Sequence, residues 1–339
     1  MSAPLTVIDT RGTRLENRHV VHAAVADPAG HIVAAHGEAD RLIYPRSAIK
    51  ALQAIPGIES GAADAAGATP PQLALAASSH SGEPDHAREA AAMLAAIGLD
   101  HTALQCGILP PRRAEDREAM RRAGHTATAL NHPCSGKHAM MLILARHLGA
   151  RPETYTDPNN RVQEEIAAAL TAHTGAAHRA AGAGIDNCSV PTWALPLAAL
   201  ATGFARLASA RASPGRANAM QRVLEACISH PYMVAGTGRA CTRLMEALAP
   251  RVFAKSGADG VYVAALPAQG LGIALKVEAG NKTASEVAIT HLIARHLGVD
   301  EAERAALAPL ACQPRHSVRG AVVGQSFLAD DMGREIPIG

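Results

Sequence analysis

The stretch Tyr44-Pro45-Arg46-Ser47-Ala48-Ile49-Lys50-Ala51-Leu52-Gln53-Ala54-Ile55 is where the chain changes period. Upstream, residues 6–9 and 20–26 alternate or run apolar, and Asp27-Pro28-Ala29-Gly30 supplies a turn before 31–35, so a β-hairpin is expected. From Ser47 onward, Ile49, Leu52 and Ile55 recur at a spacing that places them on adjoining positions of a helix. Further helices are expected over 84–97, 136–148, 158–171, 194–208 and 215–229, most opening near Pro, Ser, Asp or Gly and several closing at Gly. Strand patterns return at 252–255, 260–266 and 272–278, and a last helix is expected over 283–297. Strands at both ends around a helical middle (about 45–250) imply an α/β (α+β) fold. Its mostly antiparallel sheet, built from N- and C-terminal strands and flanked by helices, would form a single domain over 1–339. The best candidate for a mobile connection is 209–215.

Composition narrows the function classes. The chain has 339 residues, 48% of them hydrophobic, but only one Trp, four Tyr and three Phe, so its core must be packed from small aliphatic side chains. Lys+Arg 32 against Asp+Glu 30 leaves a net charge of +2, which gives no polyanion-binding field. With few aromatics for base stacking and no basic run, nucleic acid is not an expected partner. The six cysteines are scattered rather than framed, which points to reduced thiols and a cytoplasmic location. The N-terminus shows no secretory pattern, and the most apolar stretch, 193–208, is broken by Pro196, Gly203 and Arg206, so no membrane span is expected.

Ser47-Ala48-Ile49-Lys50 puts a serine and a lysine about one helical turn apart at a helix start. A serine hydroxyl becomes a nucleophile when a base accepts its proton, and a lysine made neutral by burial or a nearby cation is such a base. The helix N-terminus adds a positive field where an oxyanion would form. The bland alternative is a capping serine followed by a solvated lysine. Lys255-Ser256-Gly257 closes the expected strand 252–255, and in penicillin-recognising enzymes a K-[ST]-G strand sits opposite the S-x-x-K helix. Glycine there permits close approach to the backbone, although an ordinary hairpin turn would read the same way.

Three more clusters precede expected helices. Ser78-Ser79-His80-Ser81-Gly82-Glu83 is either a cleft-facing hydroxyl loop or a polar N-cap; if functional, Ser79 could pair with Lys255. Cys134-Ser135-Gly136-Lys137-His138 and Asp186-Asn187-Cys188 offer two thiols which, with Asp186 or His138, could complete a zinc site. Neither contains a C-x-x-C pair, so buried structural cysteines are the competing reading. Cys241, in Gly236-Thr237-Gly238-Arg239-Ala240-Cys241, is a weaker outlier.

Together the segments Tyr44–Lys50, Ser78–Glu83, Asn131–His138, Gly184–Cys188, Gly236–Arg239 and Lys255–Gly260 resemble the class 3, or rhizobial-type, L-asparaginases. The resemblance implies a serine-β-lactamase- or glutaminase-like fold, a single catalytic domain, a homodimer, and hydrolysis of L-asparagine to L-aspartate and ammonia. It places two Ser–Lys pairs, Ser47 with Lys50 and Ser79 with Lys255, around one cleft. The family's zinc ligands fall on Cys134, Lys137 and Cys188, with Asp186 beside them, and Lys137 replaces His138 as the third ligand. Arg46, His138 and Asp186 would stand on the substrate side. The alternatives are another Ser–Lys amidohydrolase, a glutaminase or a β-lactam-recognising enzyme, and a zinc-dependent binding or sensor protein.

Overall fold

The N-terminal alternation becomes a hairpin, β1 (Leu5–Arg11) and β2 (Arg14–Ala26), and β3 (Ile32–His36) pairs with the end of β2. β2 starts six residues before its apolar pattern does. Its first residues are polar and exposed, and they are strand because the ladder from Leu5↔Val21 to Arg11↔Arg14 pairs their backbones, not because a face is buried. The computed structural model describes residues 3–177, 182–210 and 216–338. Residues 211–215, most of the connection expected at 209–215, lie outside the described residues. The chain divides into two compact units, one of 1–48, 195–209 and 243–339, the other of 49–194 and 210–242.

In the first unit, β1 and β2 join β4 (Phe253–Ser256), β5 (Val261–Leu266), β6 (Leu271–Val277), β7 (Cys312–His316) and β8 (Val322–Ala329). The strand order is β7-β8-β1-β2-β6-β5-β4, with every described pairing antiparallel. The mixed α/β class and the single antiparallel sheet drawn from both chain ends are therefore as expected from sequence. All six residues of β5 are buried, so both sheet faces are covered. The cover comes from two helices, Leu197–Ala208 and Lys282–Leu297. The first lies so close to β6 that a Cβ on Gly272 would sit 2.1 Å from the Ala201 carbonyl oxygen.

The strands β7 and β8 and the helix Glu301–Ala311 were not anticipated. Pro314 disguises β7, yet β7 is the edge of the sheet, where a missing N–H is tolerated. The β8 ladder to β1 carries a buried polar knot. Asp9 accepts hydrogen bonds from Ser326 Oγ (2.7 Å) and Asn17 Nδ2 (3.1 Å) and pairs with His19 Nε2 (3.1 Å). Burial pushes the Asp9 carboxyl up, but the bonds from Ser326, His19 and Asn17 together outweigh it and hold the group below its ordinary 3.8. A depressed folded pKa contributes stability that is fully present above 3.8 and is lost as pH falls through the folded value. Asp9→Asn is therefore expected to cost about 1–3 kcal/mol near pH 7. The deficit against wild type should shrink below pH 3.8, as urea unfolding at pH 7 and pH 3 would show.

The second unit is helical. Its centre is α1 (Lys50–Glu59), buried from Lys50 to Ile58. Around it pack α2 (Pro70–Ala76), α5 (Ser135–Leu148), α6 (Arg161–Thr174) and α7 (Arg216–Ser229), with α3 (Pro84–Ala95) against α2 and α5, and α4 (Ala114–Arg122) following α3 in the chain. Buried Leu73–Ala76 lie in α2, opened by a Thr69/Gln72 capping box with proline in its first turn. No helix among the described residues is long and apolar enough to cross a membrane.

Candidate active site

In the first unit, Ser47 lies in a 3-10 turn, Arg46–Ile49, and the α-helix proper begins at Lys50. The serine therefore does not cap α1; it precedes it in a tighter turn. Arg46, immediately before Ser47, has φ 51°, a left-handed conformation that a non-glycine residue holds only when its surroundings impose it. Lys255, at the end of β4, is fully buried and donates from Nζ to the Ser256 carbonyl (2.6 Å). Gly257 brings the two motifs together: a Cβ there would lie 2.9 Å from Pro45 O and 3.1 Å from Ala48 N. The Lys255-Ser256-Gly257 turn thus rests against the backbone that carries Ser47, and glycine is needed for that approach.

In the second unit, Lys50 is fully buried and its Nζ meets Ser78 O (2.6 Å), Ser79 Oγ (3.0 Å) and Cys134 Sγ (3.2 Å). An ammonium has three N–H donors, so this geometry offers one acceptor to each. Close backbone packing creates it. A Cβ on Gly136 would fall 2.4 Å from Leu75 O, so the start of α5 sits directly on the end of α2 and brings Cys134 to Ser78.

The Ser78–Glu83 loop is held by its own side chains. The Gly82 N–H donates to His80 Nδ1 (3.0 Å), which leaves Nε2–H to donate to Ser135 Oγ (2.9 Å). His80 stacks on His86, and His86 on Tyr232, with centroids 4.8 and 4.6 Å apart. Buried Glu83 accepts from Thr237 N (2.8 Å) and Thr237 Oγ1 (2.6 Å). A Cβ on Gly236 would lie 2.4 Å from Glu83 Oε1. The Gly236-Thr237-Gly238 segment is thus a clamp on the serine loop.

A buried thiol cluster lies beside Lys50. Lys137 Nζ is 3.0 Å from Cys188 Sγ. The neighbouring Cys188, then the Lys50 and Lys137 cations, hold the Cys134 thiol well below the ordinary thiol range against the opposing effect of burial. Burial disfavours the Lys137 cation, but the Cys188 and Cys134 sulfurs outweigh it and raise its pKa. His138 is fully buried here: its Nδ1 is hydrogen-bonded to Tyr155 Oη (2.6 Å), which also accepts from Gln105 N (2.8 Å), while its Nε2 has no hydrogen-bond partner among the described residues. Burial lowers the His138 pKa to about 4, and burial followed by the Lys50 charge lowers that of His132 to about 4. Asp186 is partly exposed in the turn before Cys188 and adds a negative field at Lys137.

Of the residues singled out from sequence, Lys50, Ser79, Cys134, Lys137, His138 and Cys188 converge in the second unit, and Arg46, Ser47 and Lys255 are grouped in the first. The sequence reading passed over His132, Tyr155 and Cys106. Cys106 feels Cys134, Cys188 and Lys137, and burial pushes its thiol up to about 12. His132 stood within a quoted motif, whereas nothing local marks Cys106 or Tyr155.

Among the described residues no group of three or more His, Cys, Asp or Glu is arranged to hold a metal ion. The donors that do converge are two sulfurs and an amine, from Cys134, Cys188 and Lys137. A family model described as L-asparaginase II matches residues 7–327. No curated protein matches the chain. Among solved structures, a β-lactamase from Mycobacterium bovis is similar at 16% identity and a TM-score of 0.34, over 76% of this chain and 86% of that one.

Proposed function

Because the chain belongs to the L-asparaginase II family, and is an amidohydrolase of the L-asparaginase type, we propose that it hydrolyses the L-asparagine side-chain amide through a Ser–Lys acyl-enzyme. The observation that carries the mechanism is buried Lys50, hydrogen-bonded to Ser79 at 3.0 Å and three residues from Ser47 in the chain. In the proposed reaction the neutral form of Lys50 takes the Ser47 proton, and Oγ bonds to the amide carbon. Backbone N–H groups at Ser47 and near Ser256–Gly257 hold the oxyanion. The C–N bond breaks as Lys50 returns the proton to the leaving nitrogen, and ammonia departs. Water, deprotonated by the same lysine, attacks the ester; the C–Oγ bond breaks as Lys50 returns that proton to Ser47 Oγ, and L-aspartate is released. Ser79 and Lys255 position or relay protons, Arg46 takes the α-carboxylate, and Asp186 the α-ammonium.

One observation favours a second reading. Lys50 donates directly to Ser79 Oγ, so Ser79 could be the nucleophile, with Ser47 in the supporting role.

The thiol cluster fits zinc. Cys134, Cys188 and Lys137 supply a soft S₂N donor set, and the depressed Cys134 thiol is predisposed to bind metal as thiolate. Bound zinc would act as a Lewis acid that polarises or orients groups near the site. Lys137 must give up its proton to become a ligand.

The same reading describes a cytoplasmic homodimer with one catalytic domain and no nucleic-acid or membrane partner, in keeping with its near-neutral charge.

The deciding experiment measures ammonia released from L-asparagine and L-glutamine and the colour change of a chromogenic β-lactam, with and without chelator. L-Asparagine should be preferred over L-glutamine by about 10–200-fold, the discrimination one methylene provides. Preference for L-glutamine would make the protein a glutaminase, β-lactam turnover without ammonia release a β-lactam-recognising enzyme, and metal-linked conformational change without turnover a zinc sensor.

A further inference from the structure

Around Arg46 the first unit holds a second charged layer that the reaction scheme does not use. The Arg46 guanidinium pairs through Nη1 with Asp259, in the turn that follows Lys255-Ser256-Gly257. We infer that Asp259 is a positioning residue that aims the Arg46 guanidinium at the α-carboxylate of the substrate. The inference rests on the asparaginase reading above.

Both partners stand on fixed backbone. Arg46 and Asp259 each hold a left-handed φ, 51° and 54°. A non-glycine residue holds that region only at an energetic cost, so each is kept there by its surroundings. Lys276 Nζ donates to the carbonyls of Asp259 (2.5 Å) and Val277 (2.7 Å), tying the turn to β6. The Val277 N–H donates to Gly260 O (2.9 Å), and a Cβ on Gly260 would meet the Val277 Cβ at 2.8 Å. On the other side, Gly257 rests on Pro45 and Ala48, the residues flanking Arg46 and Ser47. The Arg46–Asp259 pair therefore links two segments whose separation is already set.

Magnitudes separate orientation from stability. The Asp259 side chain is 66% exposed and that of Arg46 only 18%. An ion pair with so open a partner contributes too little to account for two left-handed residues as a stability device. Orientation is a different matter. A guanidinium recognises a carboxylate through a planar fork, and a partner at Nη1 fixes the plane of that fork before substrate arrives.

The test is steady-state kinetics of D259N and D259E on L-asparagine and on its α-amide, which lacks the α-carboxylate, together with calorimetric binding of L-aspartate. D259N should raise KM for L-asparagine about two- to fivefold, a loss on the order of one exposed ion pair. Its kcat should stay within about twofold and KM for the α-amide should not change, while D259E recovers part of the loss. Equal effects on both substrates, or an unaltered KM for L-asparagine, would overturn the inference. If wild type released no ammonia from L-asparagine, the asparaginase reading would fail. L-Aspartate affinity reads Asp259 separately: weaker binding in D259N supports its role, and equal or absent binding refutes it.

Discussion

Lys50→Met is expected to lower kcat/KM on L-asparagine by about 10³-fold or more while the protein remains folded. A positioned general base contributes about 10²–10⁴-fold, and here the same amine would serve in both half-reactions. Met matches the length of the lysine stem and suits a site that is already fully buried. It removes the donor to Ser78 O, Ser79 Oγ and Cys134 Sγ. Leaving those acceptors unmatched should cost about 1–3 kcal/mol of stability, which this variant can lose and still fold. Ammonia-coupled kinetics alongside circular dichroism separate the two effects. A folded variant with more than a tenth of wild-type activity would remove Lys50 from the mechanism.

Ser47→Ala is expected to abolish turnover, with a fall of about 10⁴-fold or more, whereas Ser79→Ala should retain roughly a tenth to a hundredth of the wild-type rate. The asymmetry follows from the roles: without the nucleophile no acyl-enzyme forms, whereas without Ser79 only the setting of Lys50 changes. Ser47 is half-buried in a 3-10 turn behind a left-handed Arg46, and removing its hydroxyl leaves the backbone of that turn in place. Intact-mass analysis of acid-quenched reactions should find the acyl adduct in Ser79→Ala and none in Ser47→Ala. The opposite pattern would make Ser79 the nucleophile, the reading that the 3.0 Å Lys50–Ser79 bond supports.

Much of the scaffold could be read locally. The helices expected at 84–97, 136–148 and 283–297 are found as Pro84–Ala95, Ser135–Leu148 and Lys282–Leu297. In each, apolar spacing and boundary residues agree with tertiary packing. Reading failed where pairing alone makes a strand. The polar start of β2 and the proline-bearing β7 have no apolar face of their own, and only the β1 and β8 ladders define them. The candidate site shows the same limit. His138 stands beside Lys137 in sequence, but its burial against Tyr155 and Cys188 depends on residues 17 and 50 positions away.

By itself the sequence determined the strand-rich ends around a helical middle, the S-x-x-K and K-S-G signatures at the ends of their elements, and the pair of thiols that could meet a metal. Local periodicity and residue chemistry suffice for those. Tertiary structure alone decided that Lys50 bonds to Ser79 and Cys134, 29 and 84 residues away. It also decided that Asp259 stands against Arg46 from 213 residues away. Those partnerships depend on Gly136 lying against Leu75 and Gly257 against Pro45, close backbone contacts whose distances no local pattern encodes.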